Sequence, residues 1–227
     1  MISLRRDHDV FWLELGTGEN RFDQLFLDSL SAALDEVEGH EGPAALVITG
    51  SPRFFSNGYD LDWLATLDRE GRRAFIRRSE ALLARLLVFP VPTVAAIGGH
   101  AFGAGALLAL ASDLRLMRND HGFFCLPEID ARIPFRRGMN ELLCCRLSDA
   151  ALRATVLTGA RLTGPEAARL DIVDSSVPAD RLTIAADTIA RSLLPKSGPA
   201  CAALKQALYG NVVRHLRGEN PDQQNSA

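Results

Sequence analysis

The chain has 227 residues, 47% of them apolar and 23% charged, enough to bury one large α/β core or two small ones. A formal charge of -3 with dispersed arginines offers no field for nucleic acid, and no apolar run reaches the roughly 18 residues of a membrane span. The N-terminal stretch MISLRRDHDVFWLEL lacks the long apolar core of a signal peptide, so a cytoplasmic protein is expected.

VFWLEL (Val10 to Leu15) reads as the first strand. A helix follows, with Phe26, Leu30, Ala33, Leu34 and Val37 at helical spacing, Asp23 placed to cap its start and Gly39 after its last periodic residue. AALVITG (Ala44 to Gly50) is nearly all apolar, as a strand buried on both faces would be. Directly after it, FFSNGYDLDWL (Phe54 to Leu64) makes a tight corner that is either a plain turn or a device that aims a backbone N–H at a ligand. A second helix spans roughly Arg69 to Leu87 and is ended by Pro90 and Pro92, and a third strand is TVAAIGG (Thr93 to Gly99). HAFGAGALLALASD opens a helix with small residues, Leu114–Met117 and Gly122–Leu126 are short strands, and everything after Met139 reads helical. In that last third TGPE (Thr163 to Glu166) is a capping box, and Leu182, Ala186, Ile189 and Leu193 form an apolar stripe.

Alternating strands and helices with a helical C-terminal third imply α/β architecture around a parallel sheet. The expected division is a core over 1–178, a helical region of the same domain over 179–217, and a disordered tail over 218–227, which has no apolar periodicity. Cys125, Cys144, Cys145 and Cys201 match neither a zinc spacing nor a disulfide framework and read as reduced core thiols. No metal constellation and no phosphate-cradling Gly-rich loop is found.

VITGSPRFFSNGYDL, VPTVAAIGGHAFGAGALLALASDLRLM, LPEIDARIP and LTGARLTGPEAARLDIVDSSVP, in that order, resemble successive signatures of the crotonase, or enoyl-CoA hydratase/isomerase, superfamily from about Val10 to Leu208. The resemblance implies a ββα spiral core and a coenzyme A thioester as substrate, with no cofactor. It implies that the backbone N–H groups of Tyr59 and Ala104 form an oxyanion hole, with Gly58 permitting the corner and Gly103 and Gly105 leaving room for substrate. Family hydratases use two glutamates; here the first place holds Leu107 and only Glu128 remains. A single carboxylate against an apolar wall, its pKa raised by burial, suits proton transfer between two carbons. The resemblance is therefore closest to the isomerases that convert 3-enoyl-CoA to trans-2-enoyl-CoA in fatty acid β-oxidation. The alternatives are a hydratase or other enolate chemistry, or a catalytically silent acyl-CoA-binding protein.

By the same resemblance Gly58, Trp63, Phe102, Leu107 and Arg132 are expected around the acyl chain, and Arg53 near the coenzyme A phosphates. Dienoyl-CoA isomerases carry an Asp where this chain has Arg136, which argues against that reaction. Arg132 and Asp171 stand where the family usually has Gly, and Asp130 is the expected ion-pair partner of Arg132. The chain is shorter than typical members, yet its C-terminal helices keep apolar stripes, so a homotrimer or a dimer of trimers built through them is expected.

Overall fold

A computed structural model describes residues 1–219. Two sheets organise it. The larger has six strands in the order β1 (Ser3–Asp7), β2 (Val10–Glu14), β3 (Ala45–Thr49), β5 (Thr93–Ile97), β7 (Leu114–Arg118) and β9 (Ser175–Val177). All its pairings are parallel except β1 with β2. The smaller is a parallel sheet of β4 (Phe54–Ser56), β6 (His100–Phe102) and β8 (Phe124–Cys125).

The chain reaches both sheets by repeating one unit. Each of β3–β4, β5–β6 and β7–β8 lays its first strand in the large sheet and its second in the small one, then enters a helix. Those helices are α2 (Leu61–Thr66) with α3 (Arg69–Leu87), then α4 (Ala104–Ala111), then the single turn α5 (Glu128–Ala131). This is the ββα spiral, and it is an α/β fold.

Strand alternation divides the core in two. Phe11, Leu13, Leu46, Ile48, Ala95 and Ile97 face the spiral interior beneath α1 (Gln24–Glu38), α3 and α4. Val10, Trp12, Ala45, Val47, Val94 and Ala96 face the opposite way, against Leu182, Ala186 and Ala190 of α9 (Ala179–Leu193). Burial on both faces is why AALVITG is a continuous apolar run. Every residue of α4 is buried, as its apolar circumference requires. The Asp23 cap forms, its carboxylate accepting from the Phe26 N–H at 2.7 Å, and so does the Thr163–Glu166 capping box at the start of α8 (Gly164–Arg169).

Several expectations need correction. Strand β9 interrupts the region after Met139, which is not helical throughout. Strands β1, β4 and β6 were not foreseen: β1 is an edge strand of mixed polarity, and the other two are three-residue pieces too short to show a period. Cys125 is buried, but Cys144 and Cys145 are exposed. They lie on α6 (Arg137–Arg146), whose inward stripe is Gly138, Met139, Leu142 and Leu143, so the helical period turns both thiols outward.

The C-terminal helices pack on their own domain. α9 covers the large sheet, and α10 (Pro199–Leu216) lies against α3 and α6 through Val212, Val213 and Leu216. Ile184, Leu204 and Leu208 still face outward. Most of the apolar stripe reserved by the sequence reading for neighbouring subunits is thus covered within the chain. Of the expected tail, residues 220–227 lie outside the described residues.

A buried polar cluster anchors α10. Lys205 donates to Asp113 Oδ2 at 2.6 Å and to the Val91 carbonyl at 2.8 Å. The Thr93 N–H and hydroxyl donate to the same carboxylate oxygen at 2.7 and 3.0 Å. Arg146 adds bonds to the Ser112 and Asp113 carbonyls and to the Tyr209 hydroxyl. Removing one partner of such a pair strands the other charge without solvent. Asp113→Ala is therefore expected to cost about 3 to 5 kcal/mol, read from the urea midpoint, and Lys205→Met in the same chain is expected to recover part of that loss.

Candidate active site

The three strands of the small sheet end side by side, and each delivers one part of a site at its C-terminal end. From β4 come Asn57, Gly58 and Tyr59; from β6, Gly103 and Ala104; from β8, Pro127 and Glu128. All of them line one cavity of about 530 Å³.

The corner after β4 aims a backbone group, as the sequence suggested it could. Phe22 donates to the Gly58 carbonyl at 2.8 Å, and Asp60 N–H donates to the Phe22 carbonyl at 3.1 Å. These bonds form a parallel bridge around Tyr59. Because peptide groups alternate along an extended chain, the N–H of Tyr59 points away from Phe22. Gly58 has φ +81°, and a Cβ there would lie 2.8 Å from the Phe102 carbonyl oxygen and 3.3 Å from the Ala104 nitrogen. The close approach needs glycine, and it sets the two donors beside each other. Ala104 is the first residue of α4, so its N–H has no intrahelical acceptor. Among the described residues neither Tyr59 N–H nor Ala104 N–H has a hydrogen-bond acceptor.

The carboxylate of Glu128 faces these donors. A Cβ built on Gly103, the residue before Ala104, would lie 3.3 Å from Glu128 Oε1. Oε2 is buried and has no hydrogen-bond partner among the described residues. Desolvation pushes the Glu128 pKa up to about 7, against a smaller opposing effect of its own backbone N–H. Leu107, one turn along α4, is buried and presents the cavity with an apolar surface.

The Tyr59 side chain tethers the corner. The Ser79 hydroxyl donates to the Ile76 carbonyl at 2.8 Å, so the 2.6 Å bond between Tyr59 and Ser79 has the phenol as donor. Burial raises the Tyr59 pKa and keeps the phenol un-ionised.

Of the other expected residues, Gly58, Phe102 and Leu107 line the cavity with Tyr59, Ala104 and Glu128. Trp63, Arg132 and Arg53 are not among its lining residues. Trp63 packs on Phe75, with ring centroids 4.7 Å apart. Arg53 is exposed, its guanidinium 5.2 Å from the Phe54 ring centroid. Arg132 is exposed and closes α5 at φ +57°, and Asp171 has the same φ. Both hold left-handed backbone that glycine adopts with less strain than other residues, which is consistent with the glycine expected at these positions from the resemblance. Among the described residues Arg132 forms no ion pair with Asp130.

The sequence reading missed the far wall, made by Arg72 and Ile76 of α3 and by Pro134, Phe135 and Met139 around the start of α6. The four-residue spacing of Arg72 and Ile76 was the available signal.

A family model described as enoyl-CoA hydratase/isomerase matches residues 12–224. The chain belongs to this family. It is 32% identical over 224 residues to enoyl-CoA delta isomerase 3 of Arabidopsis thaliana, with 94% of each chain covered. To a probable enoyl-CoA hydratase of Bacillus subtilis (strain 168) it is 30% identical over 201 residues, covering 88% of this chain and 78% of that one. Among solved structures, a probable enoyl-CoA hydratase of Mycobacterium tuberculosis H37Rv matches with a TM-score of 0.88 at 26% identity, over 96% of this chain and 92% of that chain. The fold is that of the crotonases, and the chain is an enzyme of that superfamily.

The state of Glu128 has a measurable thermodynamic consequence. A carboxyl whose pKa rises on folding from 4.5 to about 7 makes the folded state bind the proton more tightly, so its contribution to stability falls as pH rises through that window. Glu128→Gln removes the penalty. The variant is expected to be more stable than the parent at pH 8, by at most about 3 kcal/mol, with the gap closing toward pH 4.5, as followed by thermal unfolding across pH.

Proposed function

We propose that this crotonase is an isomerase that moves the double bond of a 3-enoyl-CoA to the trans-2 position. The observation that carries the proposal is the lone carboxylate: Glu128 stands over two unpaired backbone N–H groups, and Leu107 occupies the wall where a second acid would be needed to hold a water.

The thioester oxygen accepts from the N–H groups of Tyr59 and Ala104. Glu128 takes a proton from C2, and the electron pair of that bond moves toward the thioester oxygen, giving a dienolate delocalised to C4. The two N–H groups hold the developing charge, and each such donor is worth about 2.7 to 4 kcal/mol of barrier. The α4 dipole adds to that field. Glu128 then returns the proton to C4. The C3–C4 double bond has become C2–C3, the carbonyl is restored, and the carboxylate is ready again. The thioester is the electron sink, so no cofactor is required.

A carboxyl with a pKa of about 7 is a far better base than an exposed one and is still about half ionised at neutral pH. Similarity to hydratases favours hydration as the second reading, but Leu107 gives an attacking water no polar partner.

Two measurements test the proposal. With 3-hexenoyl-CoA the conjugated thioester absorbance is expected to grow, while crotonyl-CoA loses little; the reverse pattern would establish a hydratase. In the first reaction kcat/KM is expected to rise with pH through about 7 as Glu128 ionises, and Glu128→Gln to lower kcat by about 10² to 10⁴ with binding of a saturated acyl-CoA retained. Acyl-CoA binding with no turnover of either substrate would mark a silent binder.

A further inference from the structure

Two charged groups in the cavity wall have no part in this chemistry. Apart from Glu128, the charged residues lining the cavity are Arg72 and Arg136, set among apolar neighbours such as Leu64, Ile76, Phe135 and Met139. Arg136 immediately precedes α6. Its Nε donates to Oε2 of Glu80 on α3 at 2.9 Å, and that carboxylate is almost wholly buried.

A guanidinium has two edges suited to a carboxylate, one through Nε and one through the paired terminal nitrogens. Glu80 takes a bond on the first. Among the described residues the terminal nitrogens of Arg136 have no acceptor. Buried Glu80 anchors the half-exposed Arg136 at the rim of the cavity wall and leaves its second edge free for a ligand.

The position of Arg136 in the cavity follows from the tethers. Tyr59 presents its N–H to the thioester end, and its side chain runs away from there to Ser79 on α3. Glu80 is the next residue, and Arg136 is close enough to the phenol to act on its pKa. Arg136 therefore belongs to the wall formed by α3 and α6, on the far side of Tyr59 from the donors. A plain alkyl chain gains nothing from a guanidinium there.

We propose that Arg136 selects acyl-CoA substrates whose acyl chain ends in a carboxylate, with Arg72 as a second cation on the same wall. This rests on the isomerase reading and specifies its substrate class. A charge-assisted bidentate contact is worth about tenfold to a hundredfold in affinity.

The test compares kcat/KM for 3-hexenoyl-CoA with that for carboxylated analogues from 3-hexenedioyl-CoA to 3-decenedioyl-CoA. At least one carboxylated substrate is expected to be preferred over the plain chain of equal length by about tenfold or more. That ratio is expected to collapse in Arg136→Met and to survive in part in Arg136→Lys, which also serves if the Met variant does not fold. Turnover of plain chains with no preference for a carboxylate, or a preference unchanged in the variants, overturns the proposal while leaving the isomerase reading intact. If no substrate is turned over, the isomerase reading fails, and calorimetry with adipoyl-CoA against hexanoyl-CoA then decides the site: a tighter adipoyl-CoA complex that weakens in Arg136→Lys supports it, and equal affinities refute it.

Discussion

The parallel pairing of β4, β6 and β8 is the constraint on which the site depends. Their registers, Phe54 with His100 and Ala101 with Phe124, fix where three chain segments end relative to one another. A slip of one residue would reverse which way each following peptide group points. Strands this short hold little pairing energy of their own. They are held because each is the second strand of a unit whose first strand lies in the large sheet, and because α4 is buried beneath them on all sides. The long strands supply the stability, and the short ones place the chemistry at their C-terminal ends, as is usual where parallel strands build a site.

Desolvation acts twice in this cavity. It raises the proton affinity of Glu128, and it strengthens any bond from Tyr59 and Ala104 to a negative oxygen by lowering the dielectric around it. Leu107 contributes to both effects. A second carboxylate at that position would admit water and place a like charge near Glu128, which would reshape the proton chemistry as much as the steric fit. Under the proposed isomerase reaction, the selectivity would follow from one apolar residue acting through the medium around Glu128.

The inner strands β2, β3, β5 and β7 of the large sheet were legible because they are largely apolar on both faces, and the main helices because their periods and caps are strong. The candidate site was legible through glycine. Gly58 and Gly103 mark backbone geometries that few other residues adopt. In the small sheet only β8 was legible, within Gly122–Leu126, since the three residues of β4 or of β6 cannot show a period of two. The far wall was hidden for another reason: Arg72, Glu80 and Arg136 look like ordinary surface charge until the start of α6 is brought to α3. Arg132 misled because a charged residue replacing glycine suggested an altered pocket, whereas the constraint at that position is on the backbone.

That far wall depends in turn on the C-terminal helix. α10 packs against both α3, which carries Glu80 and Ile76, and α6, which follows Arg136 and carries Met139. Lys205 ties α10 to Asp113 just beyond the end of α4, and Arg146 ties α6 to the same turn through the Ser112 and Asp113 carbonyls. One polar cluster therefore fixes the helix that carries the Ala104 donor and the helices behind the far wall of the cavity. The spacing between the two backbone donors and the far wall of the cavity is set from behind, by residues outside the cavity lining. A core-and-appendage division of this chain would miss that coupling, because the C-terminal segment completes the rear of the cavity's far wall.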